Sequence, residues 1–244
     1  MRAPPPSDVY KLLFTPPRVV TWLLVSIVAV FGAMLVMPAG QLESFVNAYA
    51  FVPTNLTNAR WSADMPAGEW ARLAIPLVSY SFLHGSLLHL LLNGVGFLLV
   101  ATLAARRMGA IPFLLFCVIT GVFAALVHWA FHYNSSVPMV GASGMLSGLV
   151  GATARFVKLD IRGVWGREGG LMPLNDRRLI LFTLIWLVLN YVFGASGFGT
   201  AGEGQTVAWE AHMGGYFAGV LLFPLFDWRA PSRTPDMLVY EEIP

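Results

Sequence analysis

The chain is poor in charged residues and in cysteine. Of its 244 residues only 11% are Asp, Glu, Lys or Arg, whereas about a quarter is usual in a soluble domain. This low charge excludes an ordinary water-soluble domain. The formal net charge of +2 is too small to indicate a nucleic-acid partner. The single cysteine, Cys117, lies inside an apolar run, so a disulfide within this chain is excluded.

Long apolar stretches dominate the sequence instead. Apolar residues make up 57% of the chain, and the mean hydropathy is +0.67. A membrane core about 30 Å thick requires about 20 apolar residues per helix. Stretches that reach or approach this length lie at 19–37, 86–105, 110–131, 143–157, 179–195 and 208–226. The sequence therefore predicts an all-α, polytopic membrane protein with six transmembrane helices.

The basic residues predict the orientation of these helices, because Lys and Arg collect in cytoplasmic loops. With the N-terminus inside, only Arg60 and Arg72 of the 15 basic residues fall on the outer side. We therefore expect a cytoplasmic tail at 1–18, a membrane domain at 19–228 and a second cytoplasmic tail at 229–244. Short tails and the lack of a transit peptide favour a prokaryotic plasma membrane.

Residues 38–85, between the first two predicted spans, are too many for a simple connection. They include an amphipathic stretch at Leu42–Phe51, followed by Trp61, Trp70 and Tyr80. Amphipathic segments and Trp or Tyr side chains are typical of the membrane interface. The sequence therefore predicts a long outer loop that lies in the outer interface.

Four polar residues inside the predicted spans are the candidate functional residues. They are His89 and Asn93 in the second span, Ser143 at the start of the fourth, and His212 near the start of the sixth. Polar groups are costly inside a membrane, which makes each of them a functional candidate. Taken singly, each can instead be a structural residue that hydrogen-bonds a neighbouring helix.

The depth of these four residues favours a shared site. At about 1.5 Å per residue, all four lie about 18 to 25 Å above the charged residue that marks the cytoplasmic end of their helix. In a core of about 30 Å this layer lies between the midplane and the outer surface. The fourth helix then begins inside the membrane, and residues 135–142 must dip down to reach it. Such irregular backbone requires surrounding protein or water, so we expect a cavity open to the outside.

Glycine spacing predicts how the fourth and sixth spans meet. Small residues four apart allow two helices to approach closely, and the chain has Gly144 and Gly148 in one span and Gly215 and Gly219 in the other. We expect these helices to pack and to bring the serine and the histidine within hydrogen-bonding reach.

A serine hydroxyl becomes nucleophilic when a base, usually a neutral imidazole, removes its proton. No aspartate occurs within a predicted span, and Glu210 is two residues from His212, a spacing that points the two side chains to different faces. The sequence therefore predicts a Ser-His dyad with Ser143 as nucleophile and His212 as base. His89 and Asn93, which share a helix face, can add side-chain donors to the Ser143 backbone N–H in an oxyanion hole.

Three segments resemble the signature regions of the rhomboid intramembrane serine proteases. They are F-L-H-G-S-L-L-H-L-L-L-N at Phe82–Asn93, G-A-S-G at Gly141–Gly144 and A-H-M-G-G-Y-F-A-G at Ala211–Gly219. The resemblance implies six helices around a water-filled cavity, with the nucleophile, base and oxyanion-hole residues named above. It also implies that His84 has a structural or water-retaining role.

The resemblance further implies an endopeptidase that hydrolyses peptide bonds in or near the outer half of transmembrane segments. Its partners are then transmembrane protein substrates and the lipid bilayer, with lateral access past the fifth span and its loop at 194–207. The alternative is a catalytically silent rhomboid-like protein that binds transmembrane helices. Such relatives commonly lack the serine or the histidine, and both are present here.

One position departs from the family pattern. Rhomboids usually carry an aromatic residue four positions after the nucleophile, packed against the catalytic histidine, whereas this chain has Ser147. We hypothesise that the Ser147 hydroxyl, or an aromatic from elsewhere such as Tyr216, holds the imidazole of His212.

His128 and His132 are four apart and can bind a metal weakly. We expect them instead to be interfacial residues at the outer end of the third span, and we expect neither a metal nor a cofactor. A transporter would place polar groups near the midplane, whereas the four candidate residues lie in the outer half.

Overall fold

The computed structural model describes residues 15–59, 65–157, 170–196 and 208–227. Trp61, most of the loop at 194–207 and the tail at 229–244 lie outside these ranges. Within them the chain is helical, and the helices are α1 Arg18–Val36, α2 Ala39–Tyr49, α3 Pro53–Thr57, α4 Ala67–Ala74, α5 Pro76–Ser79, α6 Leu87–Gly96, α7 Thr102–Met108, α8 Ala110–His132, α9 Ser143–Phe156, α10 Arg177–Ser196 and α11 Trp209–Leu222. Short 3₁₀ turns follow α5 and α11, at Tyr80–Phe82 and Phe223–Leu225, and a π-helical turn at Phe97–Ala101 joins α6 to α7.

Four of the described helices are long and apolar enough to cross a membrane. They are Arg18–Val36, the continuous α6–α7 helix Leu87–Met108, Ala110–His132 and Arg177–Gly194. The other two predicted spans, α9 and α11, have 14 residues each, which is shorter than a full crossing requires. α9 begins at Ser143, where the sequence predicted a helix that starts inside the membrane.

Helices α9 and α11 contact each other backbone to backbone. A β-carbon on Gly215 would collide with the carbonyl oxygen of Gly144, and one on Gly219 would collide with the carbonyl oxygen of Gly148. Only glycine permits this approach, since any side chain would force the two backbones apart. The predicted close packing of these helices through their glycines is confirmed.

The third member of this core is α8, which packs against both short helices. A β-carbon on Gly144 would lie 2.7 Å from Ala124 Cβ, and one on Gly214 would lie 2.6 Å from Val127 Cβ. The long helix therefore lies against both α9 and α11 through small residues, and it fixes their relative position.

The segment at 38–85 holds the loop that leads into α9. Phe51 and Met139 form an isolated antiparallel bridge, with N···O distances of 3.1 and 2.8 Å. The backbone N–H of Gly141 donates to the carbonyl of Tyr80 at 2.9 Å, and the Tyr80 hydroxyl donates to the carbonyl of Gly121 at 2.9 Å. The backbone N–H of Thr54 also donates to the carbonyl of Ser135 at 3.1 Å, so the loop before Ser143 is tied to the outer segment at several points along its length.

Tyr80 corrects part of the interfacial prediction for this segment. Its side chain is only 1% exposed, because it fills the space between α8 and α9 and its hydroxyl would lie 2.7 Å from a β-carbon on Gly144. Trp70, in contrast, is 44% exposed. Phe51, at the end of the amphipathic stretch, is also buried. The outer segment thus supplies core side chains as well as surface.

Basic residues at the opposite end of the bundle have packing roles besides their predicted topological one. Arg107 forms a two-point ion pair with Asp227, with a shortest distance of 2.6 Å, and its guanidinium lies 4.6 Å from the centre of the Phe156 ring. Arg155 is buried, and it donates to the carbonyls of Met172 and Val220 at 2.9 and 2.8 Å. These contacts join α7, α9 and the end of α11.

Candidate active site

Ser143 and His212 form a hydrogen-bonded pair across the α9–α11 contact. Ser143 is the first residue of α9, and His212 lies in the first turn of α11. His212 Nε2 is 2.7 Å from Ser143 Oγ. This distance places an imidazole nitrogen where it can accept the hydroxyl proton. The structure thus brings together the two residues that the sequence predicted as nucleophile and base.

Asn190, on α10, is a third member of this group that the sequence reasoning missed. Its Oδ1 is 2.7 Å from His212 Nδ1, and its Nδ2 donates to the carbonyl of Trp209 at 3.1 Å. Because the amide NH₂ faces a carbonyl, the amide oxygen faces the imidazole, and His212 Nδ1 must carry the proton. Nε2 is then the unprotonated nitrogen, in the position to accept from Ser143.

The hypothesis that the Ser147 hydroxyl holds the imidazole is wrong, whereas its alternative, an aromatic such as Tyr216, stays a prediction. Both nitrogens of His212 are engaged by Ser143 and Asn190, so no ring nitrogen is left for the Ser147 hydroxyl. The Tyr216 hydroxyl is hydrogen-bonded to Thr183 at 2.7 Å.

The Tyr216 ring stacks on Trp186, with the ring centres 4.4 Å apart. This aromatic pair lies between α10 and α11. Its location indicates a packing role that holds the helix carrying Asn190 against the helix carrying His212.

His89 lies beside the turn that precedes the serine. A β-carbon on Gly141 would be 2.6 Å from His89 Nε2 and 3.7 Å from Ser143 Oγ. Gly141 also has a φ of +120°, a conformation that other residues rarely adopt. Glycine at this position thus leaves the space that the His89 imidazole occupies beside the turn.

Asn93 lies one turn further along α6 and is buried. Its Nδ2 donates to the His89 carbonyl at 3.0 Å, and its Oδ1 has no hydrogen-bond partner among the described residues. An amide NH₂ has two hydrogens, so one donor remains for another acceptor.

His84 packs against His89, with the ring centres 4.9 Å apart. Its side chain is 1% exposed. Neither ring nitrogen has hydrogen-bonding geometry to a described residue. Burial, and secondarily the positive charge that His89 can carry, lower the pKa of His84 to about 4. The backbone of nearby Phe82 raises the pKa of the ring, but this is the smallest of the three effects on it. His84 is therefore neutral near pH 7, and its ring packs against that of His89.

The fold and these contacts define an integral membrane protein with an oriented Ser-His pair at one end of its helix core. Residues 67–228 match the family model described as the Rhomboid domain. This match covers more than half of the chain, which therefore belongs to the rhomboid family.

Several curated relatives carry the name rhomboid protease GlpG. The chain is 31% identical over 160 residues to that of Yersinia enterocolitica serotype O:8 / biotype 1B. It is 30% identical over 160 residues to those of Yersinia pestis strain Pestoides F and Yersinia pseudotuberculosis serotype O:3. In each case the match covers 64% of this chain and 49% of the relative. The chain thus spans about half the length of the curated relatives it matches.

Proposed function

We propose that this protein is an intramembrane serine endopeptidase that hydrolyses peptide bonds in or near the outer half of transmembrane segments. The observation that carries the proposal is the oriented dyad, in which Asn190, His212 and Ser143 are joined by two hydrogen bonds of 2.7 Å. Membership of the rhomboid family and the relatives named rhomboid protease support the same reaction class. A silent relative that only binds helices would not require this arrangement.

The mechanism follows from the positions of the three side chains. His212 Nε2 takes the proton of the Ser143 hydroxyl as Oγ attacks the scissile carbonyl carbon, while Asn190 stabilises the imidazolium through Nδ1–H. Collapse of the tetrahedral intermediate breaks the C–N bond, and His212 gives its proton to the leaving amine. Water, deprotonated by the same imidazole, then hydrolyses the ester on Ser143 and restores the hydroxyl.

Charge on the former carbonyl oxygen is stabilised by donors placed in advance. The backbone N–H of Ser143 lies at the start of α9, where amides have no helical acceptor. We assign the second donor to His89, beside Gly141, and a third to the remaining N–H of Asn93. Each such donor contributes about 10²-fold to 10³-fold in rate.

Substrate access past α10 is supported by the packing of that helix. Only 11% of the Arg177–Gly194 span is buried, so most of its residues face away from the other helices. A cavity of about 330 Å³ separates it from α7 and α9, with a chiefly apolar lining that includes Leu103, Val150 and Phe182. Side chains of a transmembrane segment that enters between α10 and its neighbours can occupy this cavity.

The backbone of an intact transmembrane helix is hydrogen-bonded internally and shielded by side chains. We therefore expect the cleaved sequence to contain small or helix-weakening residues near the outer end of the segment.

We also propose that both termini are cytoplasmic, that the Ser143 end of the bundle faces outside, and that the host membrane is a prokaryotic plasma membrane.

The direct test is incubation of the purified protein with a model transmembrane substrate in detergent and in lipid vesicles. The parent chain is expected to yield product, and Ser143→Ala none on the time scale of the parent reaction. Ser147→Ala is the matched control, because Ser147 lies one turn further along α9 and is buried without a bond to His212. Absence of product from the parent in both media, with retained binding of the helix, would favour the silent alternative.

Asn190→Ala is expected to lower kcat by about 10-fold to 100-fold with little change in KM. The imidazole then loses the acceptor that fixes its tautomer, whereas substrate contacts are unchanged. Steady-state kinetics with the same substrate measures this effect.

Thr183→Val is the control on the same helix, since Thr183 bonds Tyr216 and not the dyad. It is expected to lower thermal stability while kcat stays near that of the parent. Equal kcat values for parent and Asn190→Ala would exclude an orienting role for Asn190.

A further inference from the structure

Two helices bring His128, His132 and Glu210 together at the Ser143 end of the bundle. His132 Nε2 is 3.0 Å from Glu210 Oε1, and His128 Nδ1 is 3.9 Å from Glu210 Oε2. The two imidazoles come from successive turns of α8, and the carboxylate comes from the first turn of α11. One ligand atom from each residue lies within 4.8 Å of the others.

Two of the three side chains are largely shielded from solvent. The side chain of Glu210 is 9% exposed and that of His128 is 12% exposed. His128 Nδ1 is buried and has no hydrogen-bond partner among the described residues. A buried carboxylate requires a positive partner, and an unpartnered buried nitrogen requires a donor or a cation.

The donor set identifies the class of ligand. Two imidazole nitrogens and one carboxylate oxygen are a common set for Zn²⁺, with a fourth position left to water. Ligand atoms about 2.0 to 2.1 Å from a tetrahedral ion are about 3.3 Å apart. The two imidazoles lie 3.0 and 3.9 Å from different oxygens of the same carboxylate, so small side-chain movements would bring one atom of each residue to that spacing. The His132 side chain is 41% exposed, which leaves the fourth position open to solvent.

We propose that His128, His132 and Glu210 form a binding site for a divalent transition metal ion of the Zn²⁺ class. This reverses the expectation from the sequence, where the two histidines alone gave a weak site. The carboxylate that completes the set is 78 positions from His132 and is recognisable only once α8 and α11 are packed.

The site lies next to the catalytic base without being part of the dyad. Glu210 is two residues before His212, but the two side chains contact different helices, α8 for Glu210 and α9 for His212. A metal ion would cross-link α8 to the first turn of α11. Occupancy is therefore expected to stabilise the helix that carries His212, whether or not the protein proves to be a protease.

The test uses the full chain, purified with an affinity tag that contains no histidine and treated with a chelator to remove bound metal. Titration with ZnCl₂ by isothermal calorimetry is expected to show one ion per chain, and Co²⁺ in the same protein is expected to give the visible absorption of a tetrahedral site. His132→Ala and Glu210→Gln are each expected to weaken zinc binding at least about 10-fold. His84→Ala, which removes a buried histidine outside the cluster, is expected to bind as the parent does.

Thermal unfolding separates the proposal from a simple ion pair between Glu210 and a protonated histidine. Zinc is expected to raise the melting temperature of the parent and of His84→Ala, but not of His132→Ala or Glu210→Gln. His132 is partly exposed, so its variant is expected to fold. No stoichiometric zinc binding by the parent, or equal binding by His132→Ala, would overturn the site.

Discussion

Replacing His212 with alanine is expected to lower kcat/KM for a transmembrane substrate by about 10⁴-fold to 10⁶-fold. The imidazole is the group in hydrogen-bonding contact with Ser143 Oγ, and without it the hydroxyl keeps its proton and remains a poor nucleophile. The double variant Ser143→Ala/His212→Ala is expected to be no slower than either single variant, because the two residues act as one unit. Product formation over long incubations measures all three rates.

His132→Ala is the control histidine for this series, measured with the metal removed by a chelator. Its side chain bonds Glu210 and does not contact the dyad, so its rate is expected to stay far closer to that of the parent. Multiplicative losses in the double variant would show that Ser143 and His212 contribute independently, and would contradict a dyad.

Gly219→Ala is expected to destabilise the protein by about 1 to 3 kcal/mol and to lower cleavage about 100-fold. The added methyl group would collide with the carbonyl oxygen of Gly148, and neither partner is a flexible side chain that can move away. The helices must separate, which also moves His212 relative to Ser143, and a displacement of about 1 Å can reduce a rate about 100-fold. Thermal unfolding in detergent and the cleavage assay measure the two effects.

Gly32→Ala is the matched control for this substitution. Gly32 lies in α1, and a β-carbon there would meet no atom within 4 Å. Alanine is the better helix former, so this variant is expected to be as stable as the parent or more stable by up to about 1 kcal/mol. Equal melting temperatures for Gly219→Ala and the parent would contradict the backbone contact between α9 and α11.

The features that the sequence predicted well are those set by local spacing and by the thickness of a membrane. Glycines four apart predicted the α9–α11 contact, and counting along helices placed Ser143 and His212 at one level. The expectation that Glu210 and His212 point to different faces is also confirmed, since each contacts a different helix. All of these predictions depend on the regular geometry of a helix, in which the spacing of two residues in the sequence gives their relative height and face.

Asn190 was missed although the same reasoning applies to it. It is a polar residue in an apolar span, and it lies thirteen residues from Arg177, or about 20 Å along the helix. That depth matches the layer of the four candidate residues. It lies outside the three family-like segments, and the partners predicted for His212 were an acid, the Ser147 hydroxyl or an aromatic residue, not an amide.

Tyr80 and the metal-ligand set could not be obtained from the sequence. A tyrosine in an outer segment can lie in the membrane interface or in the core, and its spacing does not distinguish the two. The partners that decide the matter, Gly121 and Gly141, are 41 or more positions away. Glu210 likewise meets His132 only through tertiary packing.

The bridge between Phe51 and Met139 has a consequence for how the protein can be shortened or recombined. The region that matches the family begins at residue 67, so Phe51 lies before it, while Met139 lies four residues before Ser143. A fragment cut at the family boundary would keep every residue assigned to the chemistry but would lose the backbone bonds that Phe51 and Thr54 make with the loop that leads to the serine. Exchange of residues 38–66 between relatives is therefore a way to alter turnover without changing any group that contacts the substrate.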